Sequence, residues 1–203
     1  LLIINHYHKV KLIANDKISE LFKKIDANTS YSPSVKNFNG FIEELNFLIL
    51  QLINSLCGSI FLYDEREDNY ILMAHMGYNS KKTPQNFTLK TLPKQMKGLT
   101  AHQEVITFDE TSHRQPSYFF IEKQTIIISM FFKDELLGFI VNSRKGNKNY
   151  SEEDKKLLVI IVQKIVPHIK VYKLYIEQLK NLKNLENLFQ ASEKLEKCIT
   201  LDD

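Results

Sequence analysis

Hydrophobic and polar positions are arranged most clearly in the second half of the chain. Two apolar runs rich in Ile and Phe, 125–132 and 136–142, flank the charged segment Lys133, Asp134 and Glu135. Apolar runs around a short polar turn predict an antiparallel hairpin. The turn contains no glycine, so the type of turn is left open.

The same pattern recurs earlier in the chain. Residues 58–64 and 69–76 are joined by four charged residues and predict a second antiparallel hairpin. Shorter segments at 87–89 and 104–109 predict two short strands, and residues 98–100 predict a helical turn. The chain therefore favours an α+β fold built on an antiparallel sheet.

Helical spacing appears at three places. Residues 40–56 carry a broad apolar face, and a shorter amphipathic helix is predicted within residues 1–26. Ser151 and Asp154 have the S-x-x-D form of a helix-capping box, which predicts the start of a third helix. Pro167 lies inside this last helix and removes one backbone donor, so we expect a kink there.

Apolar residues of the last helix recur at spacings of three and four as far as Leu179, after which the heptad pattern is interrupted. Packing on the chain's own sheet accounts for residues 152–170. A parallel coiled coil with a second copy accounts better for 171–197. The predicted dimer interface comprises Leu45, Leu48, Leu52, Ile165, Ile169, Tyr172, Ile176 and Leu179.

Composition narrows the class of protein. Hydrophobic residues make up 43% of the 203 positions, and 27 basic against 24 acidic residues give a net charge of +3. These values are typical of a globular domain and predict neither nucleic acid nor membrane partners. The two cysteines, Cys57 and Cys198, form no disulfide framework, so a reducing, cytoplasmic location is expected.

The order of several segments resembles the GAF domain family, the small-molecule sensory modules of bacterial signalling proteins and cyclic-nucleotide phosphodiesterases. The segments are GSIFLYDE after a helix, the Gly98-Leu99 pair, EVITFDE, ELLGFIV, YSEED and KLYIEQL. The resemblance covers about 36–180. It implies a six-stranded antiparallel sheet with helices on one face, a ligand pocket on the other, and a long C-terminal signalling helix.

The expected organisation has three parts. Residues 1–35 form an N-terminal helix and linker, 36–170 the GAF-like sensory domain, and 171–203 a connector helix to a further domain. The segment 185–203 resembles the opening of another GAF module, and a plain coiled-coil linker is the alternative. Because the chain begins without Met, we interpret it as a fragment of a longer polypeptide.

The resemblance also implies ligand-binding positions. They are Ser59, His75, Met76, Thr100, Tyr118 and Phe119. The alternative is that these side chains simply occupy positions in the sheet and a covering loop. For cyclic nucleotides, the related signature corresponds here to Lys145 and Asp154, which match, and to Tyr150, a near match. Arg144 and Lys155 depart from it, and Met76 stands where relatives use a carboxylate.

Metal, haem and catalytic sites have little support in the sequence. His6 and His8 lack an obvious third ligand, so no metal site is expected. Haem held by His102 or His113 stays open, since one axial histidine suffices. Cys57 is expected to be buried, which would leave its thiol unreactive, and the sequence contains no catalytic constellation. The chain is therefore not expected to be an enzyme.

The function expected from the sequence is that of a regulatory sensory domain in a multidomain bacterial signalling protein. It would bind an unidentified small molecule, form a parallel homodimer, or do both, and relay its state to a downstream domain. A ligand-free GAF dimerisation spacer and a PAS-type sensor are the alternatives. Strand order separates the PAS-type fold from the GAF fold.

Overall fold

The computed structural model describes residues 16, 19, 23, 35–77, 86–88, 98–109, 124–144 and 149–199. In the described part of residues 35–199, two helices and six strands follow one another, with a 3-10 turn at Gly98–Thr100. They are α1 (Val35–Leu52), β1 (Cys57–Asp64), β2 (Asn69–Met76), β3 (Asn86–Phe87), β4 (Val105–Asp109), β5 (Gln124–Phe132), β6 (Glu135–Arg144) and α2 (Glu152–Ile199).

The six strands form one sheet in the order β3-β2-β1-β6-β5-β4. Every neighbouring pair is antiparallel, and β1 lies beside β6 in the centre. Both predicted hairpins are therefore confirmed, and they belong to the same sheet. The α+β class with a six-stranded antiparallel sheet is confirmed as well.

Helix α1 begins five residues before the predicted start and ends four residues before the predicted end. Its core side chains Ile42, Leu45 and Ile49, and Ile53 just after its end, recur every three or four residues and are fully buried against the sheet. This spacing puts them on one face of a helix. Burial of that apolar face, more than helix propensity, holds α1 in place.

Helix α2 packs on the same face of the sheet as α1. Phe38 and Phe41 of α1 stack on Tyr172 of α2, with ring centroids 5.1 and 5.8 Å apart. At the other end, the Ser55 and Tyr150 hydroxyls are 2.8 Å apart. The start of α1 therefore lies beside the middle of α2, and the end of α1 beside its start, so the two helices run antiparallel.

The capping box at the start of α2 is confirmed. Asp154 N donates to Ser151 Oγ at 3.1 Å, and Ser151 N donates to Asp154 Oδ2 at 2.8 Å. From there α2 continues through Pro167 for 48 residues. At about 1.5 Å per residue the helix is roughly 70 Å long. Its described side chains beyond Glu177 are all exposed, so its second half projects from the sheet.

The core has one layer on each face of the sheet. The helix-side layer contains Ile60, Leu62, Ile128 and Ile140 beneath α1 and α2. The opposite layer is built from the alternate strand residues. Gly138 on β6 permits the close approach of β1, because a Cβ there would lie 2.0 Å from Phe61 O.

Candidate functional site

An aromatic cluster covers the centre of the sheet face opposite the helices. Tyr70 stacks on Phe87 with ring centroids 5.0 Å apart, and it contacts Phe139 at 4.9 Å. Phe61 meets Phe87 edge-on at 5.0 Å. These four rings are buried, and Leu99 of the 3-10 turn packs against them. Ring contacts at these distances are favourable, so this part of the face is filled by the chain's own side chains.

Small polar residues follow at one end of the aromatic cluster. Ser59 pairs with His75 across β1 and β2, and cross-strand partners share a face of the sheet. Ser59 lies on the same face as Phe61, two residues along the strand. The Thr125 and Ser143 hydroxyls, on β5 and β6, are 2.9 Å apart and buried. The face therefore has an aromatic part and a polar end that includes Ser59 and His75.

The predicted ligand-binding residues are only partly brought together. Ser59 is buried and His75 exposed on the same face, while Met76 pairs with Gly58 and so belongs to the helix-side face. Thr100 is half-buried in the 3-10 turn beside Leu99. The two predicted residues of the long connection, Tyr118 and Phe119, lie outside the described residues.

A bulge in β2 determines which of the two neighbours His75 and Met76 lies on the Ser59 face, since consecutive strand residues point to opposite faces. Ile60 pairs with Ala74 but Phe61 pairs with Leu72, so Met73 is an extra residue in β2. Leu72 packs with the aromatic cluster, whereas Ala74 belongs to the helix-side core. The extra residue therefore exchanges the faces of the residues that follow.

A cavity of about 280 Å³ lies at the β2 edge, between this strand and α1. His75, Met76, Glu43 and Asn46 are among its lining residues. The two α1 residues were not predicted from the sequence. A polar residue on an otherwise apolar helical face, as Asn46 is, was the available signal.

Asn46 is one of two buried asparagines beside Gly58. Asn46 Nδ2 donates to Gly58 O at 3.2 Å, while its Oδ1 and both side-chain polar atoms of Asn142 have no hydrogen-bond partner among the described residues. A Cβ at Gly58 would lie 2.6 Å from Asn142 Oδ1 and 2.9 Å from Asn46 Oδ1. Any larger residue at position 58 would require these two amides to shift.

Arg144 joins the end of the sheet to both helices. Its Nη2 lies 3.1 Å from Asp154 Oδ1, and its Nε donates to Asn54 O at 3.1 Å. Nη2 also donates to Ile53 O, and the guanidinium lies 4.2 Å from the centre of the Tyr150 ring. Burial raises the pKa of Tyr150 to about 12, although its bond to Ser55 and the charge of Arg144 act in the opposite direction.

The Asp154 carboxylate thus has an arginine partner. The resemblance to cyclic-nucleotide-binding relatives placed Lys145 in that role, and Lys145 lies outside the described residues. Arg144, which departs from that signature, makes the contact instead. Because it also bonds to the carbonyls after α1, the pair connects the end of one helix to the start of the other.

The predicted dimer-interface residues lie mostly inside the chain's own core. Leu45, Ile165 and Ile169 are fully buried, and Leu48 and Tyr172 are nearly so. Leu52 and Ile176 pack at the edge of this core, and Leu179 is 37% exposed. The buried side chains hold the helices to the sheet and are not available to a second chain in this arrangement.

Within the described part of the chain, no group of three or more His, Cys, Asp or Glu side chains could hold a metal ion. Cys57 is buried there, and its Sγ donates to Gly77 O at 3.2 Å. No helix in those same ranges combines the length and the apolar character needed to cross a bilayer.

Comparisons with known proteins identify the fold. No protein-family model matches the sequence, and no curated protein matches it. Solved structures do match: the GAF domain of an Acinetobacter phosphoenolpyruvate-protein phosphotransferase is 17% identical with a TM-score of 0.60, covering 80% of this chain and 96% of that one.

Two further structures agree. The phycoerythrobilin-bound GAF domain of a cyanobacterial phytochrome is 16% identical with a TM-score of 0.57, over 77% of this chain and 96% of that one. The GAF domain of the Coxiella burnetii phosphoenolpyruvate-protein phosphotransferase is 18% identical with a TM-score of 0.56, over 77% and 95%. The chain therefore has a GAF-type fold, as the sequence resemblance predicted.

Proposed function

We propose that this chain is a regulatory, sensory GAF-type domain of a multidomain bacterial signalling protein, which forms a parallel homodimer and relays its state through α2. The observation that carries the proposal is the exposed apolar stripe on the outer side of α2, which continues into its projecting part. The stripe comprises Val171, Leu174, Leu182, Leu185 and Phe189, which are between 45% and 72% exposed.

The stripe lies on one side of α2. Positions 171, 174, 178, 182, 185 and 189 are separated by three or four residues, and Gln178 is the polar member. Such spacing aligns side chains along one face of a helix. Val171 and Leu174 are exposed while their neighbours Ile169 and Tyr172 are buried, so the stripe faces away from the sheet.

Apolar residues exposed in a row are typical of an interaction surface. A second copy supplies an identical stripe, and a parallel pair about a two-fold axis would cover both. The proposed interface thus uses the outward stripe in place of the buried residues Ile165, Ile169 and Tyr172. Leu179, which belongs to the interface predicted from the sequence, is exposed beside the stripe.

The stripe shares its helix with the residues that hold the sensory core. Tyr172 stacks on α1, and the stripe begins one residue earlier at Val171. A small molecule at the polar end of the opposite face, near Ser59 and His75, would act only through a different affinity for two arrangements of α2. No catalytic role is proposed.

A second candidate function is that of a GAF-type dimerisation spacer without a ligand. The observation in its favour is the aromatic cluster, in which Phe61, Tyr70, Phe87 and Phe139 fill the centre of the face opposite the helices. Native mass spectrometry of freshly purified protein separates the two functions. A co-purified molecule supports the sensor, and a mass equal to that of the chain alone supports the spacer.

The dimer is tested by sedimentation equilibrium at micromolar concentration on the chain and two variants. We expect a dimer for the unmodified chain, a monomer for Leu185→Glu, and a dimer for Asn187→Glu. Both variants add one negative charge to an exposed position of α2. Leu185 belongs to the stripe, whereas Asn187 lies on the opposite side of the helix, so only Leu185→Glu should disrupt the dimer. A monomeric unmodified chain would refute the proposed dimer.

A further inference from the structure

A second cavity lies where α2 leaves the sheet, on the helix side and away from Ser59. We call it the root groove. It has a volume of about 260 Å³ and is walled by α1, the β1–β2 hairpin and residues 170–180 of α2. Its apolar floor includes Leu62, Ile71 and Met73. A cavity of this size, slightly below that of drug-binding pockets, fits a small organic molecule.

Lys173 supplies the half-buried charge in the root groove. Its Nζ donates to Tyr63 O at 3.0 Å and lies 6.0 Å from the centre of the Tyr63 ring. A lysine ammonium has three donors, and Tyr63 O is the one hydrogen-bond acceptor that Lys173 has among the described residues. Partial burial lowers the pKa of Lys173, because the charged form loses water.

The acidic residues around the groove do not neutralise this ammonium directly. Glu65 and Glu177 are exposed at the rim. Asp64 Oδ1 accepts the backbone N–H of Arg66 at 2.9 Å. The Glu135 carboxylate lies 2.5 Å from the Nζ of Lys170, another lysine that lines the groove. No carboxylate among the described residues is in salt-bridge contact with Lys173, although Glu65, Glu135 and Asp64 attract its charge from further away.

We propose that the root groove binds a small organic acid with a compact apolar body. The carboxylate would accept hydrogen bonds from Lys173 Nζ, with Arg66 at the mouth of the groove adding a second cation. The apolar body would lie on Leu62, Ile71 and Met73. A half-buried ammonium with unused donors stabilises an anion more than a surface lysine does, since less water screens it.

The position of the groove gives such a ligand a route to the connector. Its walls include both the β1–β2 hairpin, which is fixed in the sheet, and α2 at the point where its side chains become exposed. A molecule that contacts both walls would favour the arrangement in which α2 is held to the hairpin. Leu174 lines the groove and also belongs to the stripe of the proposed dimer, so the two surfaces adjoin.

Three probes with the same apolar chain test the proposal on the ¹⁵N-labelled protein. Hexanoate, hexanol and hexylamine are titrated separately at the same pH and ionic strength, and amide chemical shifts are recorded. We expect hexanoate to shift residues 62–66 and 170–177 saturably. Hexanol should bind about tenfold more weakly because it lacks the charge, and hexylamine should not bind.

Two variants locate the charge. Lys173→Met keeps most of the apolar stem and should weaken hexanoate about tenfold, while Lys156→Met, at an exposed position of the same helix, should leave it unchanged. If Lys173→Met does not fold, Arg66→Met in the exposed turn replaces it and should also weaken binding. Equal binding of hexanoate and hexanol, unchanged binding by these variants, or shifts confined to the Ser59 face would each overturn the proposal.

Discussion

Both halves of α2 carry regularly spaced apolar residues, but in different surroundings. From Leu158 to Tyr172 one face of the helix is buried beneath the sheet, and Leu158 itself is fully buried. From Leu182 to Phe189 the apolar residues are more than half exposed. The same residue types therefore anchor the helix in its first half and leave it free to meet another chain in its second.

Substitutions of leucine in the two halves of α2 test this contrast. Removing a side chain from a packed core costs the lost burial and leaves a cavity, whereas an exposed position leaves none. For a substitution in the first half, the loss in free energy of unfolding should be independent of protein concentration. In the second half the effect should appear in association instead.

The largest effect is expected for Leu158→Ala compared with Leu182→Ala. Leu158 is fully buried and Leu182 is 58% exposed on the same helix. Leu158→Ala should lower the free energy of unfolding by about 2–5 kcal/mol. Leu182→Ala should change it by no more than about 0.5 kcal/mol in the monomer. Urea unfolding monitored by circular dichroism measures both changes, at protein concentrations below the dissociation constant of the dimer.

Similar losses in the two variants would contradict the contrast. They would mean that the second half of α2 also packs on its own sheet. The urea midpoint of the unmodified chain should depend on protein concentration. If that dependence disappears in Leu182→Ala, the second half of α2 contributes to association and not to the core.

A smaller effect is expected where α2 is fastened to the end of the sheet. Arg144 and Asp154 form a largely buried pair, with side chains 14% and 20% exposed. Arg144→Met should lower the free energy of unfolding by about 2 kcal/mol, because the carbonyls of Ile53 and Asn54 and the Asp154 carboxylate lose a charged donor.

Lys155→Met provides the matched control for Arg144→Met. The Lys155 partner, Glu152, is 75% exposed, so solvent screens their ion pair and its loss should change the free energy of unfolding much less than the loss of Arg144. Equal urea midpoints for the two variants would show that the Arg144 contacts are solvated in solution.

The sequence predicted the fold more completely than the site. Alternating strands, the capping box of Ser151 and Asp154, and the helical spacing of α1 are local patterns, and all were found. The extra residue Met73 in β2 was not visible, because a bulge depends on pairing with β1. It puts His75, and not Met76, on the Ser59 face, whereas the resemblance had assigned both residues to the ligand site.

The dimer residues show a second limit. Ile165, Ile169 and Tyr172 form a regular apolar row, but a row does not say whether a sheet or another chain covers it. Once the sheet covers this row, the outward residues Val171 and Leu174 remain exposed. The sequence contained both rows, and only tertiary packing distinguishes them.

The smallest effect concerns Tyr150, beside the start of α2, and it is a dependence on pH. Burial raises its pKa from 10.0 in the unfolded reference to about 12 in the folded chain. The native state thus retains this proton between those values while the unfolded state loses it. The free energy of unfolding should be unaffected by Tyr150 below pH 10 and should fall above it, by about 1 kcal/mol at pH 11.

The comparison with Tyr150→Phe isolates this contribution, since other alkaline titrations occur in both proteins. At pH 8 the unmodified chain should be more stable by about 1 kcal/mol, because its tyrosine bonds to Ser55. Urea unfolding at intervals up to pH 11 should show the difference shrink to about zero. A constant difference across this range would mean that the Tyr150 hydroxyl is solvated, and that this end of α2 is held less firmly than its contacts indicate.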